Sequence, residues 1–371
     1  MNSRQAVLIA VFSLFITNII FAQKETNSHA VPPQVEILGT QLLHLNSSIV
    51  NQEYDLYINL PRDYSDTSKT FPVLYLLDAQ WDFPLLNAIF GQQYYDGFIP
   101  GIVIVGITWG GENPDYDLLR RRDFTPSEVA NQLPSGNAKN FLQFIKKELI
   151  PFIESKYRVT NDRALMGSSL GGLFTLYTMF NETNLFDKYI LTSPALQWDN
   201  GILYKIEKEF SEKNTDIPAR LSMEIGGYEN VPMLEKFYNL LKERNYKGLS
   251  IHFKAIEGIG HSGSKADGYT RGIQFAYERP SMMLDDSVLE QYAGLYEYMP
   301  GANVKVVVEN NHLVATAPDS SKLIFDAETD RDFYRKGQYL FVHFKKDDSG
   351  NVTGFQLNTF SDERFLKKVN K

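Results

Sequence analysis

The chain has 371 residues, enough for one large domain or two ordinary ones, and 43% of them are hydrophobic and 22% charged. This composition is typical of a globular protein and contains no low-complexity tract. The formal net charge is −8, and the sequence shows no cluster of lysine and arginine that would form a phosphate-binding face. These features argue against nucleic acid and against an anionic membrane surface as partners.

The first segment, MNSRQAVLIAVFSLFITNIIFAQKE, has the pattern of an export signal. A basic start at Arg4 precedes an apolar stretch from Ala6 to Ala22, and polar residues follow. We predict a signal peptide over residues 1–22, cleaved before Gln23, and hence a bacterial periplasmic or secreted protein without a membrane span in its mature form. A retained anchor is the alternative, since about 17 residues barely span a bilayer. The chain has no cysteine, which excludes disulfides and thiolate metal ligands.

A meander of strands precedes a series of continuous apolar runs bounded by turn residues. Strands without polar alternation are buried on both faces, as in a parallel sheet covered by helices. The runs are Phe71–Asp78, Gly101–Ile107, Arg163–Gly167, Tyr189–Pro194, Leu221–Gly227 and Ile251–Gly258. Helical patterns between them are Ala138–Tyr157, Gly172–Phe180, Val231–Asn245 and Ala266–Tyr277. This alternation predicts an α/β domain over residues 35–280, with right-handed crossovers.

The pattern changes after Pro280. From about Asp286 onward the helical period disappears, and short alternating segments such as NVKVVVE and YLFVHFKK are separated by turn signals. We predict a second, all-β domain over residues 286–371, either a small barrel or a curled sheet.

A glycine-rich turn separates one buried strand from the helix after it. In RALMGSSLGGLF, the residues Gly167, Ser169 and Gly171 fit the G-x-S-x-G pattern at this strand-to-helix junction. Such a turn holds a serine in a strained conformation with its side chain away from the sheet, and bulkier neighbours would collide. We therefore predict Ser169 as a nucleophile and Ser168 as filler.

A serine hydroxyl needs a base to remove its proton. Of the six histidines, His261 stands in a Gly-rich loop between a strand and a helix, where a doubly wound sheet places functional residues. We predict His261 as the base. The other five fall in the linker, in strands or in the second domain: His29, His44, His252, His312 and His343.

An acid that orients the histidine should follow the preceding strand. Glu229 lies just past that strand and gives the chain order serine, acid, histidine. Glu224 lies within the strand, where an unpaired charge is costly, and Asp267 follows the histidine. We predict Glu229, with one alternative left open: Glu229 and Asn230 merely start the next helix.

Backbone N–H groups are expected to bind the oxyanion formed at the serine. Leu170 provides one at the first turn of its helix, and the loop after the first long buried strand provides the second from Ala79 or Gln80. In that loop, Trp81 and Phe83 either wall the substrate pocket or belong to the core.

Together these segments resemble the putative-esterase branch of the α/β-hydrolases, which contains the trilactone siderophore esterases and is related to feruloyl esterases and esterase D. The resemblance spans roughly residues 35–279. It rests on EYDLYINLPRDY, FPVLYLLDAQWDF, IVIVGI, RRRDFTPSE, FLQFIKKELIPFIESKYRV, RALMGSSLGGLFTLY, FDKYILTSPALQWDN and EGIGHSG, in that order.

The resemblance implies Ser169 as nucleophile, His261 as base, and a substrate cleft lined by the RRRDFTP loop. An arginine of this loop either grips an anionic or catecholate oxygen of the substrate or forms a salt bridge with Asp123. The three candidates are Arg120, Arg121 and Arg122. Siderophore esterases of this branch rely mainly on a serine–histidine pair, which would make Glu229 a minor contributor. The tail, beginning LEQYAGLYEY, resembles a small β-domain appended to exported serine hydrolases.

The expected fold is thus an α/β-hydrolase with a small all-β C-terminal domain, and the expected function is that of a serine carboxylic-ester hydrolase. It acts on a small-molecule or sugar ester through an acyl-enzyme, and we expect neither a cofactor nor a metal. An acyltransferase or a peptidase shares the same machinery. A non-catalytic ligand- or carbohydrate-binding module is the competing class. The residues leave the particular ester and the oligomeric state open.

Overall fold

The computed structural model describes residues 36–369, so the signal peptide predicted over residues 1–22 lies outside the described residues. A mixed eight-stranded sheet and a closed eight-stranded barrel follow one another along this part of the chain. Both belong to the compact unit Gly39–Lys371. Every helix within residues 36–369 is too short or too polar to cross a membrane.

The first sheet is mostly parallel, as predicted. Its spatial order is β1-β2-β4-β3-β5-β6-β7-β8, and only β2 runs against its neighbours. The strands are β1 Thr40–Ser47, β2 Gln52–Asn59, β3 Phe71–Leu76, β4 Val103–Trp109, β5 Val159–Ser168, β6 Lys188–Thr192, β7 Arg220–Gly226 and β8 Ser250–Ile256. Every residue of β4 and β6 is buried, which explains their lack of polar alternation.

The helices of this part are α1 Ala79–Tyr95, α2 Tyr116–Phe124, α3 Ala138–Phe144, α4 Ile150–Lys156, α5 Leu170–Asn181, α6 Ile202–Ser211, α7 Val231–Arg244 and α8 Ser264–Ala276. A π-helical turn, Ile145–Leu149, joins α3 to α4 as one continuous segment, and short 3-10 helices cover Arg62–Ser65 and Trp198–Asn200. The predicted helical patterns correspond to α3–α4, α5, α7 and α8. Helices α1, α2 and α6 were not among the predicted ones.

The C-terminal strands close into a barrel, which decides between the two predicted architectures. The ring runs β10-β11-β12-β13-β14-β15-β16-β9, with antiparallel neighbours throughout. Its strands are β9 Gly294–Met299, β10 Ala302–Glu309, β11 His312–Thr316, β12 Lys322–Ala327, β13 Asp332–Tyr334, β14 Leu340–Lys346, β15 Val352–Thr359 and β16 Glu363–Val369. Helix α9, Asp286–Leu289, and the 3-10 turn Glu290–Tyr292 precede them.

The barrel packs at the edge of the sheet where the parallel strands begin. Helix α1 starts after the carboxyl end of β3 and runs back along the sheet, so its last residues reach that amino edge. There the Tyr94 hydroxyl lies 3.3 Å from that of Tyr339, and the ring of Tyr95 lies 4.4 Å from that of Phe360. Arg62 stacks on Phe360 at 4.1 Å. The carboxyl ends of β3 to β8, which we call the carboxyl edge, lie on the other side of the sheet.

Candidate active site

Ser169 occupies a strained turn between β5 and α5. Its φ of 58° and ψ of −118° are unusual for a residue with a side chain. A Cβ added to Gly167 would come within 2.6 Å of the backbone of Gly171, so the turn requires glycine there. The Ser169 N–H donates to the Thr192 carbonyl at 3.0 Å, which ties the turn to the neighbouring strand. A strained turn of this kind between a strand and a helix is the backbone geometry that a nucleophile elbow requires.

His261 and Glu229 form a close pair. The Nδ1 atom of His261 lies 2.5 Å from Oε2 of Glu229. The other oxygen, Oε1, accepts from the Ser193 hydroxyl at 2.5 Å and from the Gly226 N–H at 3.0 Å. Burial raises the pKa of the Glu229 carboxyl, but these hydrogen bonds outweigh it and hold that pKa below its ordinary value. Glu229 is therefore ionised at neutral pH and accepts a hydrogen bond from the Nδ1–H group of His261.

Two serines that the sequence analysis missed hold this pair in place. Ser193 follows β6 with a φ of 46°, and its hydroxyl lies 2.9 Å from that of Ser264. The Ser264 hydroxyl donates in turn to the His261 carbonyl at 2.7 Å. Ser193 directly follows the buried strand in YILTSP, and this position is the one sequence feature that could have identified it as a site residue. The network therefore fixes both the acid and the backbone of the histidine loop.

All these groups lie at the carboxyl edge of four adjacent strands. Ser169, Ser193, Glu229 and His261 follow β5, β6, β7 and β8 respectively, and these strands are neighbours in that order. A doubly wound sheet gathers such residues at one crevice. The structure thus brings Glu229 and His261 into direct contact and places Ser169 at the same edge.

The two other acids considered from the sequence have different partners. Glu224 lies within β7, fully buried, and accepts from the Ser222 hydroxyl at 2.6 Å. The Asp267 carboxylate pairs with Lys254 at 2.8 Å. The preference for Glu229 therefore has a geometric basis.

The predicted oxyanion donors begin two helices. Leu170 is the first residue of α5, and Ala79 and Gln80 are the first two of α1, so their N–H groups have no helical acceptor four residues back. The expectation that Ala79 and Gln80 belong to a loop is wrong. Asp78 adopts a left-handed conformation, φ 55° and ψ 39°, that turns the chain from β3 into the helix within two residues.

Asp78 brings a buried carboxylate beside these donors, and Arg120 neutralises it. The Arg120 Nε and Nη2 atoms lie 3.0 and 2.8 Å from the two carboxylate oxygens. Burial raises the pKa of Asp78, and the hydrogen bonds from Arg120 oppose this effect. A Cβ added to Gly171 would lie 3.4 Å from Asp78 Oδ2, so the carboxylate is close to the serine turn. The ion pair therefore cancels a negative charge beside the predicted oxyanion donors.

The other two candidate arginines have structural contacts. Arg122 forms the salt bridge with Asp123 that the sequence analysis weighed, at 2.7 and 2.9 Å. Arg121 donates to the Leu133 carbonyl at 2.9 Å on the exposed side of its helix. Of the three, Arg120 is the one that reaches the carboxyl edge.

Trp81 and Phe83, the two aromatic residues considered for the pocket wall, differ in their exposure. Trp81 is 47% exposed, and the guanidinium carbon of Arg120 lies 5.6 Å from its ring centroid. Tyr116 meets the same ring edge-on at 6.2 Å. Phe83 is buried in the core. Trp81 therefore offers an aromatic surface next to the ion pair, whereas Phe83 serves packing.

A single grouping of three metal-type ligands occurs within residues 36–369, formed by His44, Glu53 and Asp55. It lies on β1 and β2, on the far side of the sheet from β5 to β8, and His44 is already 2.7 Å from Asp55. It is separate from the site at the carboxyl edge.

Comparison with known proteins agrees with this fold. Residues 47–223 match the family described as "Putative esterase", and residues 278–369 match one described as "Domain of unknown function (DUF3471)". Ferri-bacillibactin esterase BesA of Bacillus subtilis is 28% identical over 270 residues, or 65% of this chain and 90% of BesA.

Two solved structures are similar as well. The BES protein from Bacillus cereus is 27% identical with a TM-score of 0.59, and the match covers 66% of this chain and 97% of that one. An IroE-like serine hydrolase from Shewanella oneidensis is 25% identical with a TM-score of 0.57, over 68% of this chain and 81% of that one. The fold and these matches define an α/β-hydrolase of the esterase class. Residues 47–223 are similar to the Putative esterase family, and the predicted resemblance is confirmed.

Proposed function

We propose that this protein is a serine carboxylic-ester hydrolase that cleaves siderophore esters through an acyl-enzyme. One observation carries the proposal: the strained Ser169 turn and the Glu229–His261 pair follow adjacent strands at one edge of the sheet. A strained nucleophile and an oriented base are the two requirements of this chemistry.

The hydrogen-bond pattern determines the direction of proton transfer. Glu229 accepts a hydrogen bond from the Nδ1–H group of His261, so Nε2 is left unprotonated and serves as the base. His261 removes the proton of Ser169, whose oxygen attacks the ester carbonyl. The oxyanion is then held by the N–H of Leu170 together with that of Ala79 or Gln80.

The tetrahedral intermediate collapses when His261 gives its proton to the leaving alcohol. The acyl group stays on Ser169, and a water molecule, deprotonated by His261, releases it as a carboxylic acid. The ion pair between Asp78 and Arg120 keeps the oxyanion region electrically neutral before each attack.

The substrate class is supported by the relatives and by the residues around the donors. BesA is a ferri-bacillibactin esterase by name. Trp81 presents an exposed ring on which an aromatic substrate group stacks. The ion pair with Asp78 uses Nε and Nη2 of Arg120, so Nη1 of the same guanidinium can donate a hydrogen bond to a catecholate oxygen. With the signal peptide predicted over residues 1–22, we propose that the enzyme acts in the periplasm or outside the cell.

Labelling with a fluorophosphonate probe tests the serine mechanism. The wild-type protein should label once, Ser169→Ala should not label, and Ser168→Ala should label like wild type. Ser168 is a matched control because its buried hydroxyl has no hydrogen-bond partner among the described residues. An unlabelled wild-type protein would favour the non-catalytic binding module instead.

Substrate choice is tested with a panel of esters and the same two variants. The panel contains p-nitrophenyl acetate, p-nitrophenyl butyrate, methyl ferulate and a catecholate trilactone with and without iron. Ser169-dependent turnover of the trilactone supports the siderophore proposal. Turnover of only the feruloyl or short acyl esters would contradict it and indicate carbohydrate deacylation.

A further inference from the structure

The C-terminal barrel encloses a cavity that the proposed reaction does not use. Its volume is about 380 Å³, within the range of small-molecule sites. Inward-facing side chains line it, including Val304, Val306, Ala315 and Leu357. All its lining residues come from the barrel strands and their turns, and none comes from the sheet that carries Ser169.

The barrel is filled at one end and empty at the other. Aromatic rings occupy the filled end: Tyr292 stacks on Phe344 at 4.3 Å, and Phe344 packs against Phe355 at 5.3 Å. Toward the other end, one wall carries the small residues Ala315 and Ala317. An eight-stranded barrel is just wide enough for its own side chains or for one small ligand, and alanines leave the room for a ligand.

The opening lies at the turns that follow β9 and β11. Met299, half exposed, and Asp319 line the cavity at these turns. The opposite end is closed by the turn that holds Tyr292, whose hydroxyl donates to the Asp330 carbonyl at 2.7 Å. A ligand that enters from the end with Met299 and Asp319 meets apolar walls and an aromatic floor.

We propose that this cavity binds one uncharged lipophile of about a dozen carbon atoms, such as a fatty alcohol. At about 30 Å³ for a group the size of a water molecule, the volume holds about twelve methylene groups. The polar lining residues are Tyr298, Asp319 and Thr359, and the exposed Asp319 would repel a carboxylate. Burying a chain against such walls is favourable because its apolar surface leaves water.

The proposal is independent of the esterase mechanism and concerns a separate ligand. The cavity lies in the barrel, which packs on the amino edge of the sheet through Tyr339 and Phe360. The catalytic groups lie at the carboxyl edge. Loss of binding in the barrel should therefore leave Ser169-dependent turnover intact.

Fluorescence titration of the full chain with N-phenyl-1-naphthylamine tests the proposal. The probe should bind saturably at one equivalent, 1-dodecanol should displace it, and dodecanoate should compete at least tenfold more weakly. Ala315→Phe fills the cavity and should weaken probe binding at least tenfold. Ile324→Phe is the matched control, because Ile324 is 58% exposed on the outer face of the neighbouring strand.

Turnover of p-nitrophenyl acetate and the near-ultraviolet circular dichroism spectrum check that each variant is folded. If Ala315→Phe does not fold, Ala317→Leu fills the less buried end of the same wall and should have the same effect. The proposal is overturned if the wild-type protein shows no saturable binding, or if a folded cavity-filling variant binds the probe like Ile324→Phe. Equal displacement by dodecanoate would overturn the preference for an uncharged ligand.

Discussion

Replacing Glu229 with glutamine should disable His261 while leaving the fold in place. Glu229 Oε1 accepts two hydrogen bonds, from Ser193 and the Gly226 N–H, so the oxygen of a glutamine amide must take that position. The amide NH₂ group then faces Nδ1 of His261 in place of Oε2. Nδ1 must accept from it, so the ring carries its proton on Nε2, where the base should be unprotonated.

The expected loss is large because the wrong tautomer cannot accept the proton of Ser169. General-base catalysis contributes about 10²–10⁴ in rate, which corresponds to about 3–5 kcal/mol in the activation free energy. The effect should fall on kcat rather than KM, since Glu229 is remote from the ester itself. Stability should change by about 1 kcal/mol, because both hydrogen bonds to the acceptor oxygen survive.

Steady-state hydrolysis of p-nitrophenyl butyrate, with thermal unfolding in parallel, measures both effects. Glu257→Gln provides the control for charge alone, since Glu257 is an exposed glutamate in the turn after β8. A folded Glu229→Gln variant that keeps more than a tenth of wild-type kcat would refute the reasoning. Such a result would mean that Ser169 and His261 suffice as a pair.

Three further changes test the surroundings of the site. Arg120→Gln leaves Asp78 buried without its cation, so we expect a loss of about 3–5 kcal/mol in urea unfolding and slower turnover; an unchanged midpoint would contradict the ion pair's role. Burial raises the pKa of Glu224 to about 8, so the folded state keeps a proton that the unfolded chain releases above its ordinary pKa of 4.5. Stability should therefore fall by up to about 1.4 kcal/mol per unit as the pH rises between these values. Glu224→Gln should remove this pH-dependent loss of stability. The Tm of the variant should therefore exceed the wild-type Tm by more at pH 8 than at pH 5. An equal difference in Tm at both pH values would contradict a raised pKa for Glu224. Gly167→Ala should abolish probe labelling, because its Cβ would lie 2.6 Å from backbone in the first turn of α5, whereas Gly91→Ala, with open space around it, should label normally.

The geometry of the candidate site follows from patterns that are local in sequence. Ser169, Glu229 and His261 each stand just after a buried apolar run, and parallel strands bring their carboxyl ends to one edge. A glycine pattern marks the first residue, chain order separates Glu229 from Asp267, and the position of Glu224 within a strand sets that residue apart. Their placement therefore required no knowledge of side-chain contacts.

The supporting contacts could not be predicted in the same way. Asp78 and Arg120 are 42 residues apart and meet only because α2 packs near the start of α1. Ser193 resembles any serine after a strand until its hydrogen bond to Glu229 is known. The location of the barrel likewise depends on tertiary contacts, such as that between Tyr95 and Phe360. Such pairings depend on tertiary packing, which the spacing of apolar residues along the sequence does not reveal.

Backbone strain distinguishes the carboxyl edge from the other turns of the structure. Asp78, Ser169 and Ser193 have φ values of 55°, 58° and 46° and follow β3, β5 and β6, three adjacent strands. Asp78 and the other positive-φ residues in 36–369 that are neither glycine nor serine are asparagine or aspartate, which tolerate this conformation through local hydrogen bonds. The strain therefore falls on the serines, Ser169 and Ser193 at this edge and Ser320 in the barrel. Each strained residue costs about 1–3 kcal/mol and persists only where the surroundings enforce it. At the carboxyl edge buried strands on both sides enforce it, and the two serines so held are the predicted nucleophile and the serine bonded to the predicted acid.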